Sequence, residues 1–178
     1  GTMAAVIGAE PALVDEVCAE ASASGIVQAA NFNSPGQLVI SGSIAGVDKA
    51  MELLKARGIR IVKKLPVSGA FHSPLMQYAQ DELGDVLAST TIVEARFPVY
   101  SNVTAEPVTD PATIRENLLR QVTSPVLWER SMLNMLRDGV EHCYETGPGS
   151  VLQGLLKRIN GEIPCVAMGS NEELSSLK

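Results

Sequence analysis

The sequence predicts an α/β protein in two parts, residues 1–66 and 67–178. Three observations lead there. Up to Pro66 the apolar residues alternate between strand-like and helix-like spacing and trace a β-α-β-β-α-β order. After Pro66, short apolar runs alternate with longer helical stripes, the pattern of a parallel sheet covered by helices. The chain is also 46% hydrophobic and 19% charged over 178 residues, which supports a sizeable core and excludes wholesale disorder.

Met3 to Ile7 is an apolar run ending at Gly8, hence a buried strand. Glu10-Pro11 opens a helix, since proline at the first turn wastes no donor. Leu13, Val14, Val17, Cys18 and Ala21 share one face of it, and Gly25 stops it. Ile26 to Ala30 and Gln37 to Ser41 are strand-like, joined by Asn31-Phe32-Asn33-Ser34-Pro35-Gly36, a run dense in turn formers. Ser43 caps the next helix, whose stripe is Ile44, Val47, Met51 and Leu54. Gly58 ends that helix, and Ile59 to Leu65 is a final strand. This order is the split βαβ, or ferredoxin-like, unit with both helices on one face of an antiparallel sheet.

In the second part Ser73-Pro74 starts a helix reaching Ser89, with Met76, Ala79, Leu83, Val86 and Leu87 as its stripe. Phe97 to Ser101 reads as a strand, and helices begin at Pro111 and Pro125. Val140 to Tyr144 is a strand stopped by Gly147-Pro148-Gly149; a helix to Ile159 and a strand from Ile163 to Ala167 follow. About three strands are fewer than the usual four to six. This half reads as part of a larger sheet.

Fourteen basic against twenty acidic residues give a net charge of −6, which argues against general nucleic-acid binding. No apolar run approaches the roughly 18–20 residues of a membrane span. Cys18, Cys143 and Cys165 have neither disulfide-framework nor zinc spacing and read as buried thiols in a reducing compartment. No signal peptide is evident, and Gly1-Thr2-Met3 leads directly into an apolar run, as in a trimmed start. The expectation is a cytoplasmic, globular chain.

Two histidines are candidates for chemistry. His142, inside Val140-Glu141-His142-Cys143-Tyr144, reads as a structural strand histidine. His72, in Gly69-Ala70-Phe71-His72-Ser73-Pro74, has small residues before it and a helix after it. The positive end of a helix favours a neutral ring, and a partly exposed neutral imidazole suits a general base. The alternative is an ordinary loop histidine. No nucleophile accompanies it: G-x-S-x-G is absent, Ser41-Gly42-Ser43 lacks the flanking glycines, and Ser150 fits a helix start. The cysteines have no cationic sequence neighbours to stabilise a thiolate.

Five segments in register resemble the malonyl-CoA:acyl carrier protein transacylase family: Asn31–Gly42, Gly69–Met76, Val99-Tyr100-Ser101-Asn102, Ser124-Pro125-Val126-Leu127-Trp128 and Glu145-Thr146-Gly147-Pro148-Gly149. The resemblance covers essentially the whole chain. It implies a ferredoxin-like small subdomain at 1–66 and, at 67–178, the C-terminal part of an α/β-hydrolase-like large subdomain. It implies malonyl transfer from CoA to the phosphopantetheine thiol of acyl carrier protein through an acyl-serine. His72 would be the base, and the main-chain carbonyl of Gln121 its orienter; by pattern alone Gln121 is a polar residue at a helix end. Phe71 would crowd the substrate α-carbon and favour malonyl over methylmalonyl, or else be a core aromatic. Asn31 and Asn33 would line the mouth of the site, or simply serve the turn. Arg60, Lys63 and Lys64, with Arg158, would form a docking surface for CoA phosphates and the acidic carrier protein, or a solvated basic face. No metal or cofactor is implied, malonyl-CoA being a substrate, and neither nucleic acid nor membrane is an implied partner.

Three family features do not occur here: the serine elbow, the glutamine-bearing oxyanion loop and the arginine that pairs with malonate. The expectation is that they precede Gly1, that this polypeptide alone is inactive, and that it pairs with an upstream portion or self-associates. Two other readings compete. One is a ferredoxin-like binding or carrier-protein-docking module, in which His72 is dispensable; the other is a hydrolase that passes malonate to water.

Overall fold

The computed structural model describes residues 1–175. Strands β1 (Thr2–Ile7), β2 (Val27–Ser34), β3 (Gln37–Gly42) and β4 (Ile61–Lys64), with helices α1 (Pro11–Ala21) and α2 (Ile44–Ala56), follow the expected β-α-β-β-α-β order. The strands form one antiparallel sheet in the order β2-β3-β1-β4. Strand side chains alternate between faces, so Ala4, Val6, Val27, Ala29, Leu38, Ile40 and Val62 reach one side. There they meet Val14, Val17, Cys18 and Ala21 of α1 and Val47, Ala50 and Leu54 of α2. Ser43 caps α2 as expected, its hydroxyl accepting from Gly46 N at 3.1 Å.

The second face carries Met3, Ala30 and Val39, against which Leu65 and Val67 pack. The chain leaving β4 therefore crosses that face toward β2. β2 is longer than the turn-forming composition of residues 31–36 predicts. Asn31 pairs with Val39 and Phe32 with Leu38, past register shifts at 29/31 and 32/34, and the turn shrinks to Pro35-Gly36. On its other side β2 is joined by residue 126: Phe32 N donates to Val126 O and Val126 N to Ala30 O, both at 2.8 Å. Val126 is consequently held in a β-bridge, and the helix predicted from Pro125 begins at Trp128.

The second half contains α3 (Gln77–Ser89), α4 (Pro111–Gln121), α5 (Trp128–Arg137), α6 (Val151–Ile159) and the short α7 (Asn171–Ser175). Its strands depart most from expectation. β5 (Val99–Tyr100) pairs antiparallel with β6 (Pro107–Val108), while β7 (Cys143–Thr146) and β8 (Cys165–Met168) form a separate parallel pair. Among the described residues the parallel sheet is thus two strands, with Tyr144 and Val166 exposed. Ser150 opens α6 without a side-chain cap; Glu145 does that work, accepting from Leu152 N at 3.0 Å and Gln153 N at 2.8 Å. No described helix is long and apolar enough to cross a membrane.

Candidate active site

His72 lies where the segment crossing the sheet's second face reaches β2. Its backbone is left-handed, with φ 58°, a conformation that costs a non-glycine residue energy and needs external support. Ala70 and Ser73 on either side are buried, and Ser73 Oγ donates to Ala70 O at 2.6 Å. Gln28 of β2 donates its Nε2–H to His72 O at 2.8 Å. The helix expected at Ser73-Pro74 begins instead as a single 3₁₀ turn, Pro74–Met76, and α3 starts at Gln77. The His72 carbonyl accepts from Gln28 Nε2 instead of opening an α-turn. His72 is therefore not the amino cap of an α-helix.

The half-buried ring of His72 places Nδ1 3.0 Å from Gln121 O. Gln121 is the last residue of α4, where carbonyls have no intrahelical partner. The neighbouring end carbonyls are used too: Leu119 O accepts from Gln80 Nε2 at 2.9 Å, and Arg120 O from Ser124 N at 3.0 Å. The Gln121 amide nitrogen is 3.5 Å from Nδ1 but already donates to Ser124 O at 3.0 Å. The shorter contact fixes the assignment, with Nδ1–H donating to Gln121 O and Nε2 left as the acceptor nitrogen.

Phe71 is 46% exposed, so it is not a core aromatic, and its ring folds back over Gly69. Asn31 and Asn33 are half-buried strand residues rather than turn residues. Asn31 stands at the bridge to Val126, which ties it to the segment just after Gln121. A cavity of about 200 Å³ adjoins Gln121, lined also by Tyr100, Asn102, Asn117 and Leu118.

The basic residues do not form one cluster. Lys64 pairs with Asp48 at 2.6 Å, and Arg158 donates to Gln37 Oε1 at 2.7 Å, at the opposite end of the strands. Arg60 and Lys63 are exposed and carry no ion pair among the described residues. β4 lies three strands from β2, about 14 Å from the sheet position that holds His72. His142 is exposed just before β7, not held in a strand. It lines a cavity of about 310 Å³ with Trp128, Cys143 and Cys165. Of the cysteines only Cys18 is buried; Cys143 and Cys165 are half-buried register partners across β7 and β8. No described group of His, Cys, Asp or Glu residues has the arrangement of a metal site. Gln28 was not foreseeable, because a half-exposed glutamine in a strand carries no distinguishing spacing.

Residues 1–166 match the family described as an acyl transferase domain. The chain is 41% identical over 175 residues to the malonyl CoA-acyl carrier protein transacylase of Bacillus subtilis strain 168, covering 98% of this chain and 55% of that protein. An acyl-carrier-protein S-malonyltransferase from Burkholderia pseudomallei 1710b superposes with a TM-score of 0.93 at 42% identity, covering 98% of this chain and 57% of that one. A malonyl-transacylase in complex with its type II PKS acyl-carrier protein superposes with a TM-score of 0.94 at 35% identity, with 98% and 57% coverage. The chain thus spans somewhat more than half the length of the relatives it matches. With an α/β architecture shared with solved malonyltransferases and a family match over residues 1–166, this chain belongs to the acyl transferase domain family.

Proposed function

We propose that this chain supplies the histidine half of a malonyl-CoA:acyl carrier protein transacylase site. One observation carries the reading: His72 Nδ1 donates to Gln121 O at 3.0 Å, which leaves the Nε2 lone pair for proton transfer. In the proposed cycle Nε2 takes the proton of a serine hydroxyl, and the alkoxide adds to the malonyl thioester. The imidazolium then returns the proton to the departing CoA sulfur, leaving an acyl-serine. The phosphopantetheine thiol of an acyl carrier protein gives its proton to Nε2 and attacks that ester, and the regenerated serine recovers the proton. No cofactor enters these steps. Because no G-x-S-x-G occurs in the 178 residues, the serine is proposed to lie outside them, on sequence that would also cover the exposed apolar side chains of β7 and β8.

The finer assignments belong to the same proposal. Residues 1–66 are the ferredoxin-like subdomain, and 67–178 part of the α/β-hydrolase-like one. Phe71 limits branching at the substrate α-carbon, and Asn31 and Asn33 border the mouth. Arg60 and Lys63, which carry no ion pair among the described residues, steer an acidic carrier protein, with Lys64 and Arg158 contributing from their ion-paired and hydrogen-bonded positions. The complex of a matched malonyl-transacylase with its carrier protein supports that partner. The location proposed is cytoplasmic.

The test combines this chain with a serine-bearing segment of a relative and follows malonyl transfer to carrier protein. His72→Ala is expected to lower the rate by about 10²–10⁴. Transfer unaffected by that substitution would leave the non-catalytic binding module as the better reading.

A further inference from the structure

We propose that Gln28 is the positioning residue that keeps the His72 ring on Gln121 O. The inference rests on reading His72 as the base. A histidine at φ 58° persists only where its surroundings hold it there. Three hydrogen bonds do so. Ser73 Oγ to Ala70 O closes the turn on itself, and Nδ1–H to Gln121 O fixes the ring. Among the described residues, only Gln28 Nε2–H to His72 O, at 2.8 Å, ties the histidine's own peptide to the sheet.

The place of Gln28 makes it a rigid anchor. It pairs with Ser41 of β3, which pairs with Met3 of β1, so its backbone is tied into the ladder although β2 is the outer strand. Alternation from the helix-facing Val27 and Ala29 directs Gln28 to the second face, the one the His72 segment crosses. The Cα of His72 bears both the carbonyl and the ring. Pinning the carbonyl restricts the backbone torsion that would otherwise swing the ring away from α4. Gln121 cannot provide this restraint, since its contact is with the ring itself.

Gln28→Met keeps the length and removes the donor; Gln28→Glu sets a carboxylate against the carbonyl; Gln28→Lys keeps a donor. The experiment reads the His72 imidazole ¹⁵N shifts of the 178-residue chain at a pH where the ring is neutral. The unsubstituted chain is expected to hold mainly the Nδ1–H tautomer. Met and Glu should lower the Nδ1–H to Nε2–H ratio about two- to tenfold, the worth of one ordinary hydrogen bond, and Lys should recover part of it. An unchanged ratio in folded Gln28→Met overturns the proposal. Should the variants not fold, the unsubstituted chain decides: a scalar coupling from Gln28 Nε2 to the His72 carbonyl carbon supports the anchor, and its absence overturns it. In the serine-complemented enzyme Gln28→Met should lower kcat with KM for malonyl-CoA unchanged. A shifted ring with undiminished transfer would support the anchor while overturning His72 as the base, so the two readings fail separately.

Discussion

Gly69→Ala should displace the Phe71 ring without unfolding the chain. A Cβ on residue 69 would stand 2.7 Å from Phe71 Cζ, 2.8 Å from Cε2 and 3.2 Å from Cε1. Carbon atoms settle at about 3.5–4.0 Å, so the ring edge must retreat by roughly 1 Å. It has room to do so, because Phe71 is 46% exposed and the contacts fall on the far end of its side chain. Gly69 is not in the left-handed region, so alanine adds no torsional strain. The expected stability change is therefore within about 1 kcal/mol, below the overpacking penalty of sites that cannot yield. Gly42→Ala is the contrasting case. Its Cβ would run into Ile26 O and lie 2.7 Å from Val27 Cα, backbone atoms that the sheet holds in place. There a loss of about 3 kcal/mol or more is expected. Urea unfolding measures both changes, and the aromatic resonances of Phe71 report the ring. In the serine-complemented enzyme the displaced ring should also relax malonyl over methylmalonyl preference, by no more than the roughly 10–200-fold that one methyl group supports. A Gly69→Ala chain as unstable as Gly42→Ala, or one with unmoved Phe71 resonances, would refute the reasoning.

Leu54→Ala empties a fully buried position between α2 and the sheet and should cost about 2–5 kcal/mol by urea unfolding at constant m-value. Burial, aided by the charge of Asp15, pushes the Cys18 thiol up to about 12. In the native chain at pH 8, Cys143 and Cys165 should therefore react with a disulfide reagent well before Cys18, as mass mapping of the adducts would show. Asp110 caps α4 by accepting from Thr113 N and Thr113 Oγ1, both at 2.7 Å, and these bonds hold its carboxyl below the usual range. Because the folded value is depressed, its stabilisation is present above the unfolded pKa near 4 and is lost as pH falls through the folded value. Asp110→Asn should weaken that acid dependence in pH-scanned unfolding; an unchanged pH profile would count against the cap. Burial first, then the charge of Glu10, raises the Glu129 carboxyl. The sign is opposite: stability falls as pH rises through the window above the ordinary carboxylate value. Glu129→Gln should add up to about 0.5 kcal/mol at pH 7 after solvent screening.

The first 66 residues were legible because periodicity and punctuation agree there. Val14, Val17 and Cys18 sit at helical spacing between Pro11 and Gly25, and Ala4, Val6, Leu38 and Ile40 alternate as half-covered strands must. Residues 31–34 misled for an identifiable reason. Asn, Phe, Asn and Ser before Pro-Gly have turn chemistry, yet the backbone there is paired with β3 on one side and residue 126 on the other. Long-range ladder bonds override local preference. The same bridge explains the late start of α5, since Val126 cannot serve β2 and a helix at once. At the site, His72 and Gln121 were named through resemblance, and the geometry joining them spans 49 positions in sequence. The left-handed backbone of His72 and the hand of Gln28 on its carbonyl leave no trace in spacing, because each depends on how a crossing segment lands on a sheet face.

The two rims of the four-stranded sheet have different fates. Along β2 the outward amide of Phe32 and carbonyl of Ala30 are satisfied by Val126, so that stretch of the border is closed to newcomers. The opposite border, β4, has no further strand among the described residues, but it is only four residues long and ends in Lys63-Lys64. The exposed Lys63 ammonium on so short a border, with Lys64 held by Asp48 beside it, disfavours addition of a strand from another molecule. Neutralising Lys63, by acetylation for instance, is thus a change that would make this border more receptive to a strand of a second copy.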